Sequence, residues 1–259
     1  MIIKVKNGSY DDYEQLLLKR DFYRKEAAQI LVAYTKEFGE LINAVFEKKI
    51  ECIRLKKAIA LAQSFINRGE TVDVDKMNAQ IQQEMALYYA QLKEMLANTR
   101  AAKESTMLPA AVVLEIRRVY RKLARLLHPD INPMTSKSEE LLDLWNRITI
   151  AYHGNNLEEL KELEVLALAA AERAGAGDPA IDIPDIEEKI ERLERDINEI
   201  ITTEPYAYKE ILEDAERAAE KKASLQAELK EYEEYGQSLQ KMLDDLLMHT
   251  GSRITWRMP

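Results

Sequence analysis

Apolar positions recur at spacings of three and four along most of this chain. Leu31, Tyr34, Phe38, Leu41, Val45, Cys52, Leu55, Ile59, Ala62 and Ile66 form one stripe, with a gap near Lys48. That period predicts a helix over residues 10–68 with one apolar face. The stretch "NRGETVDVD" interrupts it, where Gly69 suits a helix C-cap and Asp73 an N-cap. The stripe resumes at Val74, Met77, Ile81, Met85, Tyr88, Leu92 and Met95. Two long helices with a short turn between them predict an antiparallel hairpin, here over residues 1–104.

The next stretch, "NTRAAKESTMLP", is less periodic and reads as a connection. A helix is expected from Pro109 to about Leu127, ended by Pro129 and Pro133. Ser136 or Ser138 suits the cap of a following helix over residues 138–153. "HGNN" breaks that helix, and "LEELKELEVLALAAAERAG" makes another. These elements form a module over residues 105–173. "GAGDPAIDIPD" reads as a linker, placed at residues 174–183. A heptad seam follows at Ile186, Ile190, Leu193, Ile197 and Ile200. After a break at Pro205, a second seam runs through Ile211, Ala215, Ala218, Leu225, Leu229, Tyr232, Leu239, Leu243 and Leu246, weakened by Lys222 and Gly236. Residues 184–259 are expected to form a second coiled-coil hairpin. Pairing between chains is the competing arrangement.

Composition agrees with an all-α chain. Gly and Pro number only 8 and 7, and good helix formers dominate. The expected architecture is therefore long, coiled-coil-like antiparallel hairpins flanking a small helical module. The lone cysteine, Cys52, excludes a disulfide within the chain and is expected to be buried and inert. No apolar run approaches a membrane span, and "MIIKVKNGSYDDY" lacks a signal peptide's apolar stretch. A reducing, cytoplasmic setting is expected, with no membrane partner.

Charge adds one departure. The net charge is -9, which argues against general nucleic-acid binding. Yet residues 116–127 contain no acid, and Arg117, Arg118, Arg121, Lys122 and Arg125 lie mostly off the apolar face made by Ile116, Val119, Tyr120, Leu123, Leu126 and Leu127. Solvated helices usually balance such charges at three or four residues. One reading pairs these cations with the acidic hairpins. The other has them attract an acidic partner. The ridge ends in His128, Pro129 and Asp130, a compact polar corner at a helix stop. No nucleophile accompanies it, and His153 and His249 are remote in sequence. Neither a metal site, a cofactor nor an enzymatic activity is expected.

"EIRRVYRKLARLLHPDINP" resembles helix II and the His-Pro-Asp loop of the J-domain, the module of DnaJ-type co-chaperones. "LLDLWNRITIAYHGNNLEEL" resembles that family's helix III, with Trp145 where an aromatic packs against helix II. The resemblance covers residues 115–152. It implies docking on the ATPase domain of an Hsp70 chaperone and stimulation of its ATP hydrolysis. By position in the motif, His128, Pro129 and Asp130 would signal. Arg117, Arg121, Lys122 and Arg125 would supply complementary charge, and Tyr120 and Asn132 would add contacts. The chain departs from the family at Ile131, where a cation is usual. It also lacks the usual helix I. "YYAQLKEML" at residues 88–96 echoes that helix, and is expected to replace it by packing across helices II and III.

The expected function is that of an Hsp70 co-chaperone. The N-terminal hairpin supplies core packing or a client surface, with Tyr10, Tyr13, Phe22 and Tyr23 suited to either. The C-terminal hairpin supplies an interaction arm or a homodimer contact. The alternative is a coiled-coil scaffold whose J-like module has no Hsp70 activity. A nucleic-acid function is disfavoured, because the basic helix lacks interleaved aromatics for base stacking.

Overall fold

The computed structural model describes residues 8–106, 108–174 and 185–248. Most of the expected linker falls at residues 175–184, outside the described residues, as does His249. The protein is all-α. Among the described residues there are eight α-helices, one 3-10 turn and no strand. They are α1 (Gly8–Asn67), α2 (Val74–Glu104), α3 (Ala110–Leu127), α4 (Glu139–His153), α5 (Leu157–Arg173), α6 (Ile186–Thr202), α7 (Tyr208–Glu213) and α8 (Ala215–Met248), with the 3-10 turn at Thr135–Lys137 before α4.

The caps follow local chemistry. No proline interrupts α1, which ends where Gly69 takes a φ of 69°. The Gly69 amide donates to the Ile66 carbonyl at 2.9 Å and the Glu70 amide to that of Phe65 at 3.0 Å. Two carbonyls left over by the last turn are thereby satisfied. Asp73 caps α2 by accepting from the Lys76 amide at 3.1 Å. Ser138 caps α4 and Asn156 caps α5 in the same manner.

Contacts divide the chain into two compact units. One gathers Met1–Gln29 with Thr106–Ala207, and the other Ile30–Ser105 with Tyr208–Pro259. The units are thus discontinuous in sequence, unlike the consecutive segments expected above. Periodicity marks which face of a helix is apolar but does not say what covers it.

In the second unit the later part of α1 packs with α2 and α8. Asn43 donates to Thr99 at 2.9 Å, Lys57 pairs with Glu84, and Glu40 pairs with Lys103. Numbers rise on α1 as they fall on α2, so the two are antiparallel. α8 runs the same way as α1, because Glu37 pairs with Lys222 and Cys52 lies beside Tyr232 and Gly236. Leu55, Ala58, Met77, Met85 and Leu243 are fully buried in the shared core. Gly39 lets α1 approach α2 closely, since a Cβ there would lie 2.7 Å from the Thr99 hydroxyl. Cys52 is 3% exposed, and burial raises its thiol pKa above the usual value.

In the first unit α3, α4 and α5 pack around Ile116, Leu123, Leu127, Leu141, Ile148, Leu160 and Leu163. It is α5 that packs across α3 and α4. Tyr88, Tyr89 and Leu92, the expected substitute for helix I, pack in the second unit. α6 places Leu193 against Tyr13 and Leu17 of α1 and against Ile131, with Ile186 and Ile190 alongside. The seams of α6 and α8 are therefore each covered by a stretch of α1. The expected hairpin of the two with one another is not what their apolar faces make. A heptad seam accepts any matching seam, and α1 offers one over most of its length.

Candidate functional site

α3 presents two contrasting faces. Ile116, Val119, Tyr120, Leu123, Ala124 and Leu127 are buried, while Arg118, Arg121, Lys122 and Arg125 point outward. The strong segregation follows from the three-and-four spacing of its apolar residues.

The helix stops at His128, whose amide still donates to the Ala124 carbonyl at 2.8 Å. Pro129 then lacks the amide needed to continue. The turn is tied from inside. The His128 carbonyl accepts from the amides of Ile131 and Asn132 at 2.9 and 2.7 Å. The Asn132 side chain donates through Nδ2 to the Leu126 carbonyl at 2.8 Å, and its Oδ1 accepts from the Met134 amide at 3.0 Å. One side chain thus satisfies a carbonyl stranded at the helix end and a loop amide. Asn132 is 2% exposed and Ile131 1%. With its root held inside, the loop leaves Pro129 half-buried and Asp130 exposed.

His128 also faces inward, 6% exposed and 4.8 Å from the Trp145 ring. Its Nδ1 accepts from the Asp130 amide at 3.1 Å, which leaves the proton of the neutral ring on Nε2. Nε2 lies 3.9 Å from an Asp21 oxygen, too far for a hydrogen bond. Burial lowers the His128 pKa below the ordinary histidine value, against the opposing pull of Asp21 and Asp130.

Beside it the Tyr120 ring stacks on Tyr152 at 3.7 Å, and Trp145 lies 5.9 Å away. The Tyr120 hydroxyl donates to Asp21 at 2.9 Å. Burial, with Asp21 second, raises the Tyr120 pKa far above that of a free phenol. Lys25, 6% exposed, donates from Nζ to the Tyr152 carbonyl at 2.6 Å and sits 3.7 Å over the Tyr152 ring. A cation at a helix C-terminus and over a ring face is doubly favoured. Burial nevertheless lowers its pKa to about 8, with the nearby Arg117 adding to the fall.

The nine residues singled out in the sequence therefore separate. Tyr120, His128 and Asn132 are buried supports. Arg117 is half-buried, with its guanidinium 4.1 Å over the Phe22 ring. Arg125 pairs with Glu14, and Lys122 pairs with Glu164 at 2.6 Å. Pro129, Asp130 and Arg121 complete the outward set. The residues that sequence reading did not select are Glu14, Asp21 and Lys25 of α1, which lie at 111, 99 and 127 positions from their partners. Phe22, an aromatic that the sequence suits to core or client, instead carries the Arg117 guanidinium. Nothing in the local pattern of α3 points to these partners.

Among the described residues no group of His, Cys, Asp and Glu side chains could hold a metal ion, and no helix is long and apolar enough to cross a membrane. Compared with family models, with curated proteins and with solved structures, the chain matches none.

Proposed function

We propose that the chain is an Hsp70 co-chaperone of the J-domain type, docking through the outer face of α3 and the 128–130 corner. The observation that carries this reading is the pairing of an inward anchor with an outward tip. His128 and Asn132 fix the loop backbone from inside, so Asp130 projects from a held turn at the end of a helix whose outer face bears Arg118, Arg121, Lys122 and Arg125. The cationic ridge favours encounter with an acidic surface, and a carboxylate at its end discriminates among registers. On this reading the chain would act on its partner's ATP hydrolysis.

The test is single-turnover ATP hydrolysis by an Hsp70 from the same organism. Stimulation by the full chain, lost in Asp130→Asn and in His128→Gln, is the expected result. Asp130 is exposed, so its variant keeps the fold and isolates the surface role. Equal rates with and without the chain would overturn the reading.

A second reading is favoured by the internal ion pairs. Arg125 and Lys122 are already matched by Glu14 and Glu164, as a scaffold with no Hsp70 activity requires. Absence of stimulation by a folded chain selects it.

A further inference from the structure

A cavity of about 420 Å³ opens beside Pro129 and Asp130, between the start of α1 and α6. Its floor is apolar. Tyr13, Leu17 and Leu193 line it and are themselves 5%, 1% and 5% exposed. Its rim is cationic. Arg20 and Arg24 sit one turn apart on α1, and Lys189 and Arg192 sit one turn apart on α6. Two carboxylates, Asp130 and Asp196, share the lining.

The balance is unusual for this chain, in which 46 acids outnumber 37 lysines and arginines. On α3 three of the five basic residues pair with acids, Arg118 with Glu115, Lys122 with Glu164 and Arg125 with Glu14. On this rim only Arg20 has done so, with Asp21 at 3.2 Å. Arg24, Lys189 and Arg192 make no ion pair among the described residues. Like charges one turn apart on a helix repel, and two such pairs converging on one cavity raise its potential further.

We propose that this cavity binds a small organic phosphate. Its phosphoryl oxygens would be held by Arg24, Lys189 and Arg192, with its less polar remainder against Tyr13 and Leu193. Guanidinium forks match phosphoryl oxygens in pairs, and cations arriving from two helices suit a ligand with more than one negative charge. The volume lies in the range of roughly 300–1,000 Å³ typical of small-molecule sites and exceeds what a bare phosphate fills. The proposal stands on the cavity alone and does not rest on the co-chaperone reading.

The experiment is calorimetric titration of the full chain with ADP and with inorganic pyrophosphate, at constant ionic strength. The same titrations are run on an Arg24→Gln/Arg192→Gln variant. Both positions are exposed, so the variant should melt with the wild type. Saturable binding of both probes at one site per chain is expected, with ADP the tighter. The variant should bind at least about tenfold more weakly, having lost two charge-assisted contacts. No saturable binding, or equal affinity in the variant, would overturn the proposal. So would binding of pyrophosphate alone, or of an oligoglutamate peptide in place of both probes.

Discussion

The Tyr120 hydroxyl donates to the Asp21 carboxylate at 2.9 Å, joining residues 99 positions apart. The Asp21 side chain is only 14% exposed, so water replaces the phenol poorly. Tyr120→Phe should therefore cost about 1–3 kcal/mol of stability, the usual range for stranding a buried partner. Asp21→Asn should cost less, because it removes the charge together with its need. Urea unfolding of both and of the double variant checks this. The double variant should lose less than the sum, since the two changes remove one contact. Strict additivity would mean that the pair is not coupled.

Lys25 makes stability depend on pH. Its folded pKa is about 8, below the ordinary lysine value of 10.5. Between those values the unfolded chain holds a proton that the folded chain has released, so stability rises with pH across that window. The full rise is on the order of 3 kcal/mol. Lys25→Met removes the titrating group and should flatten the curve. The measurement is the wild-type minus variant difference in unfolding free energy from pH 7 to pH 10, which cancels the tyrosines. A difference that does not climb would place the buried ammonium in water.

Glu14 tests the covered part of the basic face. Its carboxylate pairs with Arg125 and is largely buried, with 13% of the side chain exposed. Under the proposed function, Glu14→Gln frees one cation of the docking ridge. Association with Hsp70 should speed up by a few-fold at low salt, and the gain should fade near 0.5 M salt as screening shortens the range of the field. Stopped-flow association at two salt concentrations reads this directly. An unchanged rate at low salt would remove Arg125 from the docking surface.

The helices were legible because their signals are local. The stripe from Leu31 to Ile66, the cap at Gly69 and the stop at Pro129 each follow from residues within a few positions. The faces of α3 were legible for the same reason. What covers those faces was not. Leu193 meets Tyr13 and Leu17, and Leu243 shares a core with Leu55 and Met77, yet neither choice is written in the spacing of either seam. At the corner, His128, Pro129 and Asp130 could be singled out by type, but their division into anchor and tip could not. That division depends on the Asp130 amide reaching Nδ1 and on Trp145 closing over the imidazole, both set by tertiary packing.

α1 supplies Asp21, Lys25 and Glu26 to partners at Tyr120, Tyr152 and Tyr206, the last 180 residues downstream. During synthesis this helix leaves the ribosome before each of these partners. At about 5–20 residues per second, Asp21, Lys25 and Glu26 wait on the order of ten seconds for these partners, whereas the later stripe of α1 meets α2 soon after it emerges. Few of those contacts can form early, so closure of the first unit is a late, long-range event with the slow kinetics that such separations impose. In the nascent chain the stretch of α1 around Tyr13 and Leu17 therefore stays uncovered long after it emerges, and that interval is when it most needs protection from aggregation.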